Sequence, residues 1–377
     1  GPRTFSTAFE VLNLGKASVQ LDLKKHEDKE SLLKLLESAD VFITNIRIDC
    51  LRRLGLDYDD LHERFPHLVY AHLSAYGRRG PDAGLPGYDV GAFWAASGMA
   101  SYIQPAGHAH MYPSAFGDVT SGSGLAAGVA AALVKRHKTG SGGIVDTSLL
   151  RMGLWCMSGV LATAEKQKED IVEALEVAED SDTYTYYNCR DGAVAVLGLE
   201  TEARDSVYER VTRASLEAVV GGDDLKGRFL SLTAQEAHAK LDAAGIPNMI
   251  EGELTTLRPE LNMPCPPGFD DIKNGMVKPP FECSTCHTPI CGAAEIGVHT
   301  KDVLERGFLS KTIWPSVPKD ASTTALPLDG ITIVDLSYGL GVAAAATTQF
   351  LQALGAKIVK VVPEAGDEWQ LCDKRIF

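Results

Sequence analysis

The sequence predicts an α/β fold, with a large domain on a largely parallel sheet and a smaller α+β domain. Three observations predict it. Strand-like runs, "DVFITN" (40–45), "HLVYAHLSAYG" (67–77) and the short run inside "TGSGGIVDTSLL" (139–150), alternate with segments of helical spacing. That alternation builds parallel sheets. "YTYYNCRDGAVAVLGLE" (184–200) reads instead as two strands around a turn at Asp191-Gly192, which is hairpin-like. The tail returns to α/β, because "GITIVDLS" (330–337), a glycine-bearing turn, an alanine-rich helix and "KIVKVV" (357–362) form a βαβ unit.

The elements follow in order. Ser18–Leu23 is a short strand and Lys29–Leu36 a helix. "IDCLRRLGLDYDDLHERF" gives two short helices parted by a glycine, and "GYDVGAFWAASGMA" is helical with an aromatic and alanine face turned inward. An extended segment then breaks into "SAFGDVTSGSGLAAG" (114–128), and a helix runs on to about His137. Residues 165–182 are strongly charged and read as a solvated helix or linker. Residues 259–291 are rich in Pro and Cys and read as loop. The domains drawn from this are 1–185 (large), 186–291 (small) and 292–377 (a return to the large domain, with the βαβ unit at 327–369).

Composition narrows the function classes. A chain of 377 residues can bury a sizeable core. With 36 Lys+Arg against 50 Asp+Glu the net charge is −14, which argues against nucleic acid and anionic membrane as partners. No apolar run reaches the ~18 residues of a membrane span, and no secretory signal is visible. A cytoplasmic, mitochondrial or peroxisomal matrix location is expected, and not secretion. Of the eight cysteines, Cys50, Cys156, Cys189 and Cys372 read as scattered reduced thiols. Cys265, Cys283, Cys286 and Cys291 lie close together, with His287 after the second C-x-x-C residue. Zinc, haem attachment and unpaired loop thiols compete there, and the last is expected.

Two local motifs bear on chemistry. The tail turn Gly339-Leu-Gly341-Val-Ala-Ala344, with Glu364 after the second strand, fits the G-x-G-x-x-G/A pattern of dinucleotide binding. Small residues at such a turn also serve plain packing. Asp118 stands at a helix start among Gly117, Gly122 and Gly124. It reads either as a helix cap or as a carboxylate nucleophile. A helix N-terminus favours an anion, and glycines admit a ligand to the backbone and free N–H groups for an oxyanion.

Several stretches together resemble one family, the class III CoA transferases (CaiB/BaiF type). They are "LNLGKASVQLDLK" (12–24), "ADVFITNIRIDCLRRLGLDYDDL" (39–61), "PHLVYAHLSAYGRRGP" (66–81), "PGYDVGAFWAASGMA" (86–100), "GDVTSGSGLAAGVAAALVKRHKTGSGGIVDTSLL" (117–150) and "EIGVHTKDVLERGF" (295–308). The resemblance implies a Rossmann-like large domain and an interlocked homodimer. One feature departs from the family: the segment 327–369 looks like the family's amino-terminal βαβ unit, yet it follows the rest here. A circular permutant and an excerpt of a tandem protein both fit that order.

The resemblance also implies a chemistry. Asp118 holds the place of the family's nucleophile, which passes CoA between carboxylic acids through an anhydride and an aspartyl-CoA thioester. Acyl-CoA is then a substrate, and no metal is required. Tyr88-Asp89 is the second informative pair. Related racemases carry a histidine resembling the residue at Tyr88, and a phenol, which ordinarily titrates near ~10, is a poor base at neutral pH. Tyr88 thus favours transfer. Asn45, Ile46 and Arg53 match CoA-holding positions, and Arg47 and Lys16 are nearby cations. Gly339 and Val342 belong to the turn that would touch CoA. Leu14 and the "YGLGV" turn depart from the family pattern, and Gly221-Gly222 reads as a helix stop rather than a shielding loop. The alternatives are a racemase-like enzyme on the same fold, a catalytically degenerate subunit, and an NAD oxidoreductase.

Overall fold

The computed structural model describes residues 12–13, 16–103, 113, 115–167, 184–197, 213–222, 224–251, 294, 296–306, 326–335, 347–348 and 351–360. The chain divides into two compact units, Gly1–Leu21 with Ser181–Gly307, and Asp22–Asp180 with Phe308–Phe377.

The larger unit runs α1 (His26–Leu36), β1 (Val41–Thr44), α2 (Ile48–Leu54), α3 (Tyr58–Arg64), β2 (Val69–Ser74), a π-helical segment (Asp89–Ala95), α4 (Met99–Ile103), α5 (Phe116–Thr139), β3 (Gly143–Ser148), α6 (Leu149–Cys156) and α7 (Ser158–Gln167). Strands β1, β2 and β3 pair in parallel in that order, with Thr44, His72 and Asp146 in register. The middle strand is buried on both faces from Val69 to His72, as parallel strands flanked by helices are. Two apolar cores form around the sheet. One gathers Leu33, Leu36, Leu51, Leu56, Leu61, Phe65, Leu68 and Tyr70, and the other Phe93, Trp94, Met99, Leu149, Met152 and Met157.

Local chemistry sets these elements. Helix α2 stops at Gly55, which takes the left-handed conformation (φ 61°) that terminates helices. Asp57 caps α3 by accepting from Tyr58 N at 2.7 Å. Its carboxylate also receives Arg78 Nη2 at 2.6 Å and Arg52 Nε at 3.3 Å. Burial pushes Asp57 up, but the bonds from Arg78, Tyr58 and Arg52 outweigh it and hold the carboxyl below its ordinary range. Tyr70 beside it donates to the Leu56 carbonyl at 3.0 Å, and burial pushes its phenol up to about 12.

The segment read as a helix from Gly87 is π-helical over Asp89–Ala95, with Ala96 N bonding Gly91 O at 2.9 Å. The wider turn brings Asp89, Ala92, Phe93 and Trp94 inward together. Helix α5 is, among the described helices, the one long and apolar enough by length and composition to cross a membrane. Here its face of small residues packs on the sheet and α6. A Cβ on Gly128 would stand 2.6 Å from Val145 Cγ1, so the close approach depends on that glycine.

In the smaller unit, β4 (Tyr184–Cys189), β5 (Gly192–Leu197) and β6 (Asn248–Ile250) form an antiparallel sheet, with α8 (Arg213–Val220), α9 (Leu225–Ser231), α10 (Ala234–Ala243) and α11 (Thr300–Arg306). The hairpin turns at Arg190-Asp191. Val194, Val196, Leu216, Phe229 and Leu241 make its core, and Tyr187 stacks on Phe229 at 4.2 Å. Helix α10 starts in a capping box of Thr233 and Glu236. Gly221 (φ 85°) and Gly222 (φ 138°) end α8.

Two sequence expectations differ from the fold. Ser18–Leu23 forms no strand. The backbone N–H groups of Ser18 and Gln20 bond His299 Nδ1 (3.1 Å) and Thr300 Oγ1 (3.0 Å), so side chains take the place of a ladder. Lys16–Leu21 and Ile296–Arg306, assigned above to the large domain, group with the smaller unit. In the tail of the larger unit, β7 (Thr332–Asp335) and β8 (Lys357–Lys360) pair in parallel as a βαβ unit requires.

Candidate functional site

A groove of about 1250 Å³ opens in the larger unit, beyond the carboxyl ends of β1 and β2 and along α5. Open parallel sheets bind ligands at this end of their strands. The β1 end contributes Ile43, Thr44, Asn45 and Arg47, and the β2 end Leu73, Ser74 and Ala75. Helix α5 gives Asp118, Gly122, Leu125 and Ala126 along one wall, and Pro86, Gly87 and Tyr88 line the groove from the sequence that enters the π-helix.

Asp118 occupies the first turn of α5 and is exposed to the groove. It does not cap the helix, which corrects one of the two readings above. The N-cap is Ala115, a non-glycine residue at φ 58°, ψ 20°, with no side-chain cap bond. A left-handed alanine costs roughly 1 kcal/mol, so the entry to this helix is strained. A carboxylate in the first turn gains ~0.3–1 kcal/mol from the helix dipole. Gly122 and Gly124 are helical and not part of a loop. The Gly117 N–H is engaged, donating to Asp89 Oδ1 at 3.1 Å.

Asp89 is a site residue that the sequence does not single out beyond its place in the Tyr88-Asp89 pair. It is buried (6% exposed) under the first turn of α5. Burial pushes its carboxyl up, the charge of Asp118 pushes it further, and bonds from Gly117 and Trp94 offset part of the rise. Two carboxyl groups of unlike environment thus sit together, one buried and one facing the groove. A Cβ on Gly117 would lie 2.2 Å from Asp89 Oδ1 and 2.3 Å from Phe93 Cγ. Glycine at 117 is what lets the helix start descend onto Asp89. The sequence signal is the "GD" pair itself; its glycine was expected to free an N–H for an oxyanion, and that N–H is instead bonded to Asp89.

The loop after β1 is held tightly. Ile46 N donates to Thr44 Oγ1 at 3.2 Å, and the Ile46 carbonyl faces the ring of His72. Arg47 then caps α2 with its backbone, accepting from Cys50 N and Leu51 N.

Of the residues singled out from sequence, Asp118, Tyr88, Asn45 and Arg47 line one groove. Tyr88 is 85% exposed. Ile46 and Arg53 are not among its walls; Arg53 folds back on its own helix, donating to Asp49 O and Cys50 Sγ. Lys16 belongs to the smaller unit, where its Nζ bonds Leu12 O at 2.7 Å and Asn13 Oδ1 at 3.2 Å. Gly339, Val342, Glu364, Leu14 and the cluster of Cys265, Cys283, Cys286 and Cys291 lie outside the described residues. Among the described residues no group of three His, Cys, Asp or Glu side chains is placed to hold a metal.

Residues 2–249 match the model of CoA-transferase family III, and the chain belongs to that family. It is 34% identical over 192 residues to the (R)-2-hydroxy-4-methylpentanoate CoA-transferase of Clostridioides difficile, covering 51% of this chain and 48% of that protein. It is 36% identical over 166 residues to the cinnamoyl-CoA:phenyllactate CoA-transferase of Clostridium sporogenes, covering 44% and 40%. The chain thus spans about half the length of the curated relatives it matches. The crystal structure of the hypothetical protein Rv3272 from Mycobacterium tuberculosis superposes with a TM-score of 0.62 at 22% identity, over 78% of this chain and 85% of that one. That likeness establishes the fold.

Proposed function

We propose that this chain transfers coenzyme A between carboxylic acids, with Asp118 as nucleophile. The observation that carries the reading is the placement of Asp118 on the wall of a groove that Asn45, Arg47 and Tyr88 also line. At about 1250 Å³ the groove exceeds the ~300–1,000 Å³ of ordinary small-molecule sites, which suits a long thioester. Membership of the family supports the reaction class.

The steps balance without any further reagent. An Asp118 oxygen attacks the acyl carbon of the donor thioester, the C–S bond breaks, and CoA leaves as thiolate. The thiolate attacks the Asp118 carbonyl of the mixed anhydride and releases the donor acid. The acceptor carboxylate then attacks the aspartyl-CoA carbonyl and displaces CoA. The thiolate takes the acceptor's acyl group and frees Asp118. Arg47 supplies a cation for the phosphates, Asn45 orients the ligand, and Tyr88 shapes the acyl end. Asp89, buried and pushed up, fixes the first turn of α5 through the Gly117 N–H. A homodimer, interlocked as the family resemblance implies, belongs to the same proposal.

The test is CoA exchange. Each member of a panel of acyl-CoA donors is mixed with free acids, and new acyl-CoA species are separated by chromatography. Turnover in the wild type that is absent in a folded Asp118→Ala variant supports the reading. Equal turnover in the variant overturns it.

A further inference from the structure

We propose that His72 is a positioning residue of this groove: it ties the Asn45–Arg47 loop to the sheet and so aims two groove-lining side chains. The proposal rests on the functional reading above for what the loop binds.

The geometry points to it from two sides. His72 lies on the middle strand and is 1% exposed, in register with Thr44 on β1 and Asp146 on β3. Its Nε2 is 3.0 Å from the Ile46 carbonyl oxygen. Its Nδ1 is 3.4 Å from Asp146 Oδ1, without hydrogen-bond geometry. Asp146 is fixed in turn by Arg151 of α6, whose Nη1 donates to the Asp146 carbonyl at 2.8 Å and lies 3.8 Å from Oδ2. Ile46 is therefore gripped on both sides, its N–H by Thr44 Oγ1 and its carbonyl by His72. Asn45 and Arg47 flank that residue, and both line the groove while Ile46 does not. A carbonyl acceptor at 3.0 Å requires the proton on Nε2. A buried ring on the central strand, donating from Nε2 to the loop carbonyl, fixes the orientation of that loop.

The experiment uses the full chain. Nitrogen-edited NMR of the histidine rings in the wild type, with His72→Leu for assignment, is expected to show a protected proton on His72 Nε2. Hydrogen exchange at the Ile46 and Arg47 amides is expected to quicken roughly 5- to 10-fold in His72→Leu, the value of one lost hydrogen bond. His72→Gln, which can still donate to the Ile46 carbonyl, is expected to stay near wild type. In turnover, KM for acyl-CoA rises by a similar factor in His72→Leu while kcat holds within about 2-fold, a split that plain loss of fold does not produce. A wild-type ring with a bare Nε2 overturns the proposal, and that readout needs no variant to fold. Unchanged exchange in a folded His72→Leu also overturns it. A wild type that binds no acyl-CoA overturns the functional reading instead, and the ring and exchange results still decide the tether.

Discussion

Replacing Gly117 with alanine should damage this protein far more than the same change five residues further along the same helix. The added methyl at 117 would stand 2.2 Å from Asp89 Oδ1, 2.3 Å from Phe93 Cγ and 2.6 Å from Phe93 Cβ. Phe93 is fully buried and cannot step aside. The first turn of α5 must lift instead, and the 3.1 Å bond from Gly117 N to Asp89 stretches with it. Overpacking costs ~1–3 kcal/mol and a hydrogen bond to a buried carboxyl about as much again, so Gly117→Ala should lose roughly 2–6 kcal/mol. Gly122→Ala meets nothing within 4 Å and sits mid-helix. It should gain roughly 0.5–1 kcal/mol from helix propensity. Urea unfolding followed by tryptophan fluorescence reads both signs. Lifting the turn also displaces Asp118, and a misplacement of about 1 Å can cost on the order of 100-fold in rate. Equal unfolding midpoints for the two variants would refute the packing argument.

Two further predictions concern carboxyl groups. Asp57→Asn breaks a buried pair with Arg78 and should cost ~2–4 kcal/mol at pH 7 in denaturant titration. Asp57 is depressed in the fold, so its contribution is complete above the unfolded value of 3.8 and is lost as pH falls through the lower native value. The gap between wild type and variant should therefore close in strong acid. Asp89 has the opposite sign. Its native carboxyl is raised, so the stability it contributes is complete below 3.8 and is lost as pH rises through the higher native value. Asp89→Asn, which keeps an acceptor for Gly117 N, should flatten that fall, so wild type loses ground to the variant from pH 4 upward. A constant difference across the range would contradict the assignment.

The parallel character of the β1–β3 sheet and the hairpin of β4 and β5 were legible because apolar runs and alternation are local signals. The start of α5 was not. No Ser, Thr, Asp or Asn marks its cap, since the chain enters through a left-handed Ala115. Asp118, the nearest capping residue type, was therefore weighed as a cap. Asp89 was invisible as a partner because its bond to Gly117 spans 28 positions and follows from packing. The tie of Ser18 to His299 spans 281, which is why an extended segment reads as a strand although side chains hold it. Arg53 fitted a motif position, yet its side chain folds along its own helix and away from the groove lining. Arg47 was chosen only as a nearby cation and stands in the groove.

The most direct test of the central claim is the mass of the intact chain after mixing with acyl-CoA donors. If Asp118 attacks thioesters, the wild type gains a CoA adduct that hydroxylamine removes, and Asp118→Ala gains none. A wild-type chain that binds CoA measurably yet forms no adduct with any donor, or an adduct that persists in Asp118→Ala, would contradict the account.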